Sequence, residues 1–538
     1  MPITTSTSGD GASSALPTAS IARNRDDSAE RRPPFSDFIE RYRSKLHDLF
    51  ERRADANALN GQRGLPPFLM REVRAPGTDG HGDPLSVYVG EEHGGRGGQI
   101  HEGLAMLEAT GYESLGLCLT FGINGALFLQ PVGKYAPEDT KADVLQRFLR
   151  DRRLGGLMIT EPNHGTDALN MQTVFEADGE RYRIQGTKHW GGLTGWADYW
   201  LLTAREQTQK GPSRDIGFFV CDVTQPEQHI NVEEVYENLG LRIIPYGRNQ
   251  IDVSVPQAQR LEPDSTGIKM MLDLLHRSRM QFPGMSTGFL RRLLDEAVDH
   301  CRERFVGGKP LEAYDNVKAR LAKMQAYVTS SRAMSLFTSE HGGTDRDLSG
   351  MSLAANAIKT SVTDWMQQAS QSFLQLCGAK GYRMDHLAGR ATVDSRPFQI
   401  FEGANDILYQ QVAEAMLKQM RRAKESNLYR FLQQDDLTAR AADYFRDTLS
   451  FDVDLKLSQR KLVALGKALS RVMSMEMTIE LGERGYRSDL IEHALAELRA
   501  DVQELVTRFR SEGVQGLIDD YRASSDWLGY VQPIPAAR

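Results

Sequence analysis

Two kinds of hydrophobic period divide this chain, and the place where one replaces the other limits its fold most. Phe35, Phe38, Ile39, Tyr42, Leu46, Leu49 and Phe50 recur at steps of three and four, as one face of a helix must. Further helical patterns lie near 99–112 and 138–151. From about residue 155 to 262 the runs become short and β-rich. Tyr182-Arg183-Ile184 and Ile251-Asp252-Val253-Ser254-Val255 alternate, while Tyr199-Trp200-Leu201-Leu202 and Phe218-Phe219-Val220 are compact apolar runs. Gly and Asp punctuate them, as strand ends require. Helical period then returns and predicts long helices over roughly 265–305, 314–340, 351–377 and 404–424. Residues 425–538 are again helical and highly charged. The order is helical, β, helical, with a helical appendix. A length of 538 residues leaves room for this, since a domain takes roughly 150 residues.

Composition removes several function classes. Lys+Arg 65 against Asp+Glu 72 gives a net charge of −7, which excludes a generally basic nucleic-acid binder. Within 421–538, 18 basic residues face 19 acidic ones, so the appendix is not a DNA-binding tail either. Cys118, Cys221, Cys301 and Cys377 lie far apart without a CxxC pair, which disfavours disulfides and thiolate zinc and fits a cytoplasmic location. Twelve histidines include no HExxH and no ligand-spaced cluster, so no metal is expected. Residues 1–34, rich in Ser, Thr, Ala and Pro, read as a disordered tail. Ser114 to Gly133 is uncharged, but Asn124, Gln130, Pro131 and its glycines favour a buried helix pair over a membrane span.

Two motifs carry less than their patterns suggest. Gly284-Met285-Ser286-Thr287-Gly288 fits GxSxG, but that nucleophile turn needs a preceding strand, and here the pattern is helical. Small residues that let two helices approach are the simpler reading. His93-Gly94-Gly95-Arg96-Gly97-Gly98 lacks the GK[ST] ending of a phosphate loop and reads as a turn.

Three further segments are specific together. They are Met158-Ile159-Thr160-Glu161-Pro162-Asn163-His164-Gly165-Thr166-Asp167, then Gly186-Thr187-Lys188-His189-Trp190, then Gln375-Leu376-Cys377-Gly378-Ala379-Lys380-Gly381-Tyr382 with Phe401-Glu402-Gly403-Ala404-Asn405-Asp406-Ile407. In this order and on this layout, 35–424 resembles the acyl-CoA dehydrogenase flavoproteins. The resemblance implies an α+β multidomain fold: an N-terminal helical domain (35–154), a small central β-barrel or sandwich (155–262), a C-terminal four-helix bundle (263–424), and a helical extension (425–538) comparable to that of very-long-chain members. It also implies FAD, and oxidation of an acyl thioester to the trans-2-enoyl thioester with hydride passing to flavin N5.

Residue by residue, Glu402 matches the family base. A carboxylate suits that task in a dry pocket that raises its pKa. Read alone, Glu402 could instead cap a helix starting near Asn405. The resemblance places Met158, Ile159, Thr160 and Thr166 on the flavin, with Trp190 against its ring and Gly192 beside it. Without the resemblance, Trp190 reads as a core residue of the β module. Arg304, Gln375, Gly378 and Ala379 match groups that reach a neighbouring subunit's FAD; on spacing alone Arg304 is equally a solvated helix end. Ala404 and Asp406 stand at FAD-contacting positions, and Arg279, Phe401 and Gly403 on the substrate side. A homodimer or homotetramer follows, with an electron-transfer flavoprotein as acceptor.

The chain departs from the family at several points. Gly191-Gly192 replaces an Ile-Thr whose hydroxyl bonds the flavin, and Thr194 follows two positions later. Ala404 replaces Thr, Asp406 stands where Gln or Glu is usual, and Phe305 adjoins Arg304 with Gly307 in the usual aromatic place. A backbone N–H brought close by the glycines is the favoured substitute, with Thr194 as the alternative. An acyl oxidase, a dehydrogenase of carrier-protein thioesters and a non-catalytic flavoprotein stay open as rival functions. In the appendix, Leu462, Leu465, Leu469, Val472 and Met473 form a face for the body or a second subunit.

Overall fold

A computed structural model describes residues 33–53, 59, 67–75, 82–511, 513, 516–522 and 527–531. The expected tail therefore lies outside the described residues up to position 32. Helices form where apolar residues recur with helical period: Phe35–His47, Ile100–Glu113 and Glu138–Arg150 in the first part. The uncharged stretch is buried, as expected, but it is one helix and not a pair. Leu115–Tyr135 runs unbroken for 21 residues, and 94% of its apolar window is inside the protein. A π turn at Gly125–Leu129 precedes Pro131 and lets the helix pass the missing N–H.

Seven strands follow: β1 Gly155–Met158, β2 Val174–Asp178, β3 Arg181–Gly192, β4 Tyr199–Thr208, β5 Gly211–Asp222, β6 Asn231–Val235 and β7 Tyr246–Pro256. They form one mixed sheet in the order β1-β4-β2-β3-β7-β6, with β5 added to β4. β4 pairs parallel to β1 and β2 and antiparallel to β5. Irregularities at His189/Gly191, Arg205/Gln207 and Val232/Glu234 curl it, since each bulge raises local twist. The apolar runs seen in the sequence fill its core: Tyr199, Leu201, Leu202, Phe218, Phe219 and Val220 are fully buried.

The last four predicted helices are Gly267–Glu303, Asp315–His341, Ser352–Cys377 and Asn405–Ala423. Thr266 starts the first by accepting from the Lys269 N–H, which satisfies one of the free donors of a helix start. The GxSxG segment lies in the middle of this helix. A Cβ on Gly288 would stand 2.1 Å from the Glu108 carbonyl oxygen, so glycine is what lets this helix touch Ile100–Glu113. Ser286 is buried against Ser331 and serves packing.

The appendix folds onto the bundle through Gln459–Glu483 and Ser488–Arg510. Leu465, Leu469, Val472 and Met473 are buried against the body. Gly466 crosses Asn405–Ala423 so closely that a Cβ there would lie 1.8 Å from the Tyr409 carbonyl oxygen.

Candidate functional site

The site lies where the C-terminal end of β3, the start of β7 and two bundle helices meet. Its central group is Glu402, in the turn before Asn405–Ala423. Both Glu402 (φ 54°) and Gly403 (φ 97°) have left-handed backbones. For a glutamate this is a strained state that surrounding contacts must hold. Arg279 supplies one contact, donating from Nε to the Glu402 carbonyl oxygen at 2.9 Å. Lys359 supplies another, donating from Nζ to the Gly403 carbonyl oxygen at 2.8 Å and to Asn405 Oδ1 at 2.9 Å.

The carboxylate itself is asymmetric. Oε1 accepts from the Ser278 hydroxyl at 2.9 Å. Oε2 is sealed from solvent and has no hydrogen-bond partner. Burial raises the Glu402 pKa; Ser278, Arg279 and Lys359 pull it down, and burial prevails. The same desolvation lowers Lys359 to about 7 and Arg279 to about 10. Helix capping is not the role of Glu402: Ala404 occupies the cap position, and no side chain caps there.

An aromatic group faces this carboxylate from the sheet. Burial, then the Glu402 charge, push the Tyr246 phenol up, so the two groups are electrostatic neighbours. The Tyr246 ring centroid is 6.5 Å from Trp190, which also lies 4.6 Å from Tyr236. Trp190 is not a core residue: it is 52% exposed and has φ 61°. At Gly192 a Cβ would stand 2.7 Å from Ile123 Cδ1 and 3.3 Å from Tyr246 Cε1, so a side chain there would displace the wall. Thr194 does not offer a free hydroxyl. It is buried, donates to the Gly191 carbonyl oxygen at 2.8 Å and accepts from Asn249 at 3.1 Å.

A buried ion pair fixes the segment from Met158 onward. Lys188 Nζ lies 2.8 Å from Glu161 Oε1 and donates to the Ile159 carbonyl oxygen at 3.2 Å. The Thr160 carbonyl oxygen accepts from the His189 N–H at 2.9 Å. Thr166 is exposed on the following turn. Phe401 packs on Phe398 at 4.9 Å and lines the apolar side of Glu402.

Other expected residues lie elsewhere on the chain. Arg304 is exposed just beyond Gly267–Glu303, and at ~1.5 Å rise per residue it is about 37 Å along the helix from Arg279. Gln375, Gly378 and Ala379 are exposed at the end of Ser352–Cys377, with Gly378 at φ 63°. Asp406 is exposed and Ala404 half-buried close to Glu402. Sequence reasoning missed Ser278, Lys359, Asp364 and Asn405. The available signal was Lys359 and Asp364 as the charged residues in the otherwise uncharged helical run Ala354–Met366.

Residues 156–253 match the sequence profile described as the acyl-CoA dehydrogenase middle domain, and residues 265–417 that of the acyl-CoA dehydrogenase C-terminal domain. Residues 156–417 thus carry two domains of the acyl-CoA dehydrogenase family. It is 23% identical over 339 residues to a short-chain specific acyl-CoA dehydrogenase of Megasphaera elsdenii, covering 62% of this chain and 86% of the relative. It is 26% identical over 337 residues to an L-prolyl-[peptidyl-carrier protein] dehydrogenase of Pseudomonas fluorescens, covering 62% and 87%. A solved acyl-CoA dehydrogenase from Bacillus anthracis, complexed with FAD, shares the fold at TM-score 0.72 and 17% identity over 88% of each chain. Members of the family are oxidoreductases.

Proposed function

We propose that this family member is an FAD-dependent dehydrogenase that converts an acyl thioester to its trans-2-enoyl form, with Glu402 as the base. The carrying observation is the unpartnered Oε2 of Glu402, dry and aimed into the site while Oε1 is held by Ser278. A buried oxygen without a partner costs about 1–3 kcal/mol, and a substrate C–H brought to it gives that cost a use. The residues also fit a flavin. Trp190 leaves an indole face uncovered at a strand end, and the buried Gly191-Gly192 let Met158, Ile123 and Tyr246 close against the backbone beside it. Trp190, Met158, Ile159, Thr160, Thr166 and Gly192 would hold FAD from this chain; Arg304, Gln375, Gly378 and Ala379 would hold it from a second copy. When bound, FAD supplies the acceptor for the hydride leaving the carbon beyond the deprotonated one.

The chain's own residues perform the other tasks. Ser278 fixes the carboxylate rotamer so that Oε2 points at the carbon next to the thioester carbonyl. Burial raises the basicity of Oε2 toward neutrality. Arg279 and Lys359 hold the carbonyls of Glu402 and Gly403 and so fix the turn that would present the Glu402 N–H to the thioester oxygen. Phe401 and Phe398 exclude water. An electron-transfer flavoprotein fits as the acceptor. The carrier-protein dehydrogenase among the relatives makes a protein-bound thioester the second reading.

The test is anaerobic bleaching of the purified yellow protein with acyl thioesters, each chain offered as its CoA and its carrier-protein form. Bleaching by one series supports the reading and names the carrier. Hydrogen peroxide released in air without added acceptor would instead mark an oxidase. A flavin that no thioester bleaches would overturn the proposal in favour of a binding protein.

A further inference from the structure

The helical appendix reaches the base through a buried carboxylate. Asp364, on Ser352–Cys377, is 4% exposed. Its Oδ1 accepts from Gln399 Nε2 at 2.7 Å and from Asn405 Nδ2 at 2.9 Å. Those two residues bracket the turn that carries Glu402. Its Oδ2 accepts from the Tyr409 hydroxyl at 2.7 Å, which anchors the first turns of the helix that follows. Asn405 in turn receives Lys359, whose second bond goes to the Gly403 carbonyl oxygen. One carboxylate therefore clamps both ends of the strained Glu402–Gly403 segment.

A buried carboxylate with three neutral donors still needs a cation to stay charged. Among the described residues its two ion-pair partners both come from Gln459–Glu483 in the appendix, while Lys359 of the body feels its charge from farther off. Arg471, 1% exposed, places Nη2 3.2 Å from Asp364 Oδ2. It also donates from Nη1 to the Ser361 hydroxyl at 2.7 Å and lies 5.2 Å above the Trp365 ring. Lys467 Nζ stands 3.3 Å from the same oxygen at the solvent side. The contact is 107 residues distant in sequence, so it exists only once the appendix has docked.

We infer that Arg471 is a positioning residue for Glu402: the appendix completes the active site by holding Asp364, and through Gln399, Asn405 and Lys359 the turn that carries the base. This rests on Glu402 being the base, but the clamp can be read without any substrate. Arg471 touches neither substrate nor cofactor, and it acts through Asp364.

The experiment is amide hydrogen exchange by mass spectrometry on the purified full-length holoprotein. It compares wild type, Arg471→Met, Arg471→Lys and the control Arg440→Met, which breaks appendix ion pairs to Glu476 and Glu483 away from Asp364. Arg471→Met is expected to speed exchange over 399–408 at least tenfold and to cut turnover on the best thioester at least tenfold with KM little changed. Arg471→Lys should restore both, while Arg440→Met leaves 399–408 as in wild type. If Arg471→Met does not accumulate folded, Lys467→Met reads the same peptide, and a smaller rise there is the supporting result. Loosening of 459–483 with 399–408 and turnover unchanged would overturn the inference. A wild type that no thioester reduces would overturn the proposed function and leave the exchange result to decide the clamp alone.

Discussion

At the scale of single residues, the proposed base, Glu402, is set by opposed forces. Burial raises its pKa, and one hydroxyl and two cations restrain the rise. With ionised Glu402 as the proposed base, the rate should rise with pH through its pKa, which burial holds above the ordinary glutamate value. Removing the Ser278 hydrogen bond takes away a restraint. Ser278→Ala should move the acid limb of the kcat/KM profile to higher pH and lower kcat roughly tenfold or more, because orientation is lost too. An unmoved limb would show that Ser278 does not act on the base. Glu402 was named from its motif. Lys359 and Asp364 were not, because a charged residue in a helical run reveals nothing of partners 44 or 107 positions away.

At the scale of elements, close approach governs. Helices were legible because their apolar period is local; the long helices Gly267–Glu303, Asp315–His341, Ser352–Cys377 and Asn405–Ala423 begin and end within a few residues of the periodic stretches. Strand pairing was not. β4 takes parallel neighbours on one edge and an antiparallel hairpin partner on the other, a choice made by tertiary packing. The glycine at the appendix crossing is a sharper test of packing. Gly466→Ala puts a methyl 1.8 Å from the Tyr409 carbonyl oxygen, where backbone and not a pliable side chain must yield. It should cost about 1–3 kcal/mol or more by overpacking. Calorimetry should show a lowered Tm, and limited proteolysis should cut first between 424 and 459. A melt equal to wild type would mean that the two helices part without cost.

At the scale of the whole molecule, the expected flavin contacts do not converge in one chain. Trp190 and Glu402 meet at one site, while Arg304 lies about 37 Å along a helix from it and remains exposed. Two-fold pairing would bring the exposed end of one chain to the site of another. Arg304→Ala should therefore lower the ratio of bound flavin to protein several-fold without moving helix content, as read by absorbance and circular dichroism. A flavin-loaded monomer by light scattering at micromolar protein would contradict the shared site. That distance is set by the unbroken length of Gly267–Glu303, the helix that the period over 265–305 predicts.

The most direct test of the central claim is rapid-mixing anaerobic reduction of the flavin in Glu402→Gln beside wild type, with the best thioester of the panel. Glutamine keeps the size of the side chain and an oxygen for the Ser278 hydroxyl, and it removes only the base. The prediction is flavin bound as in wild type and reduction slower by about three orders of magnitude or more, on the scale of losing a general base. Reduction at more than a tenth of the wild-type rate would contradict the assignment of Glu402.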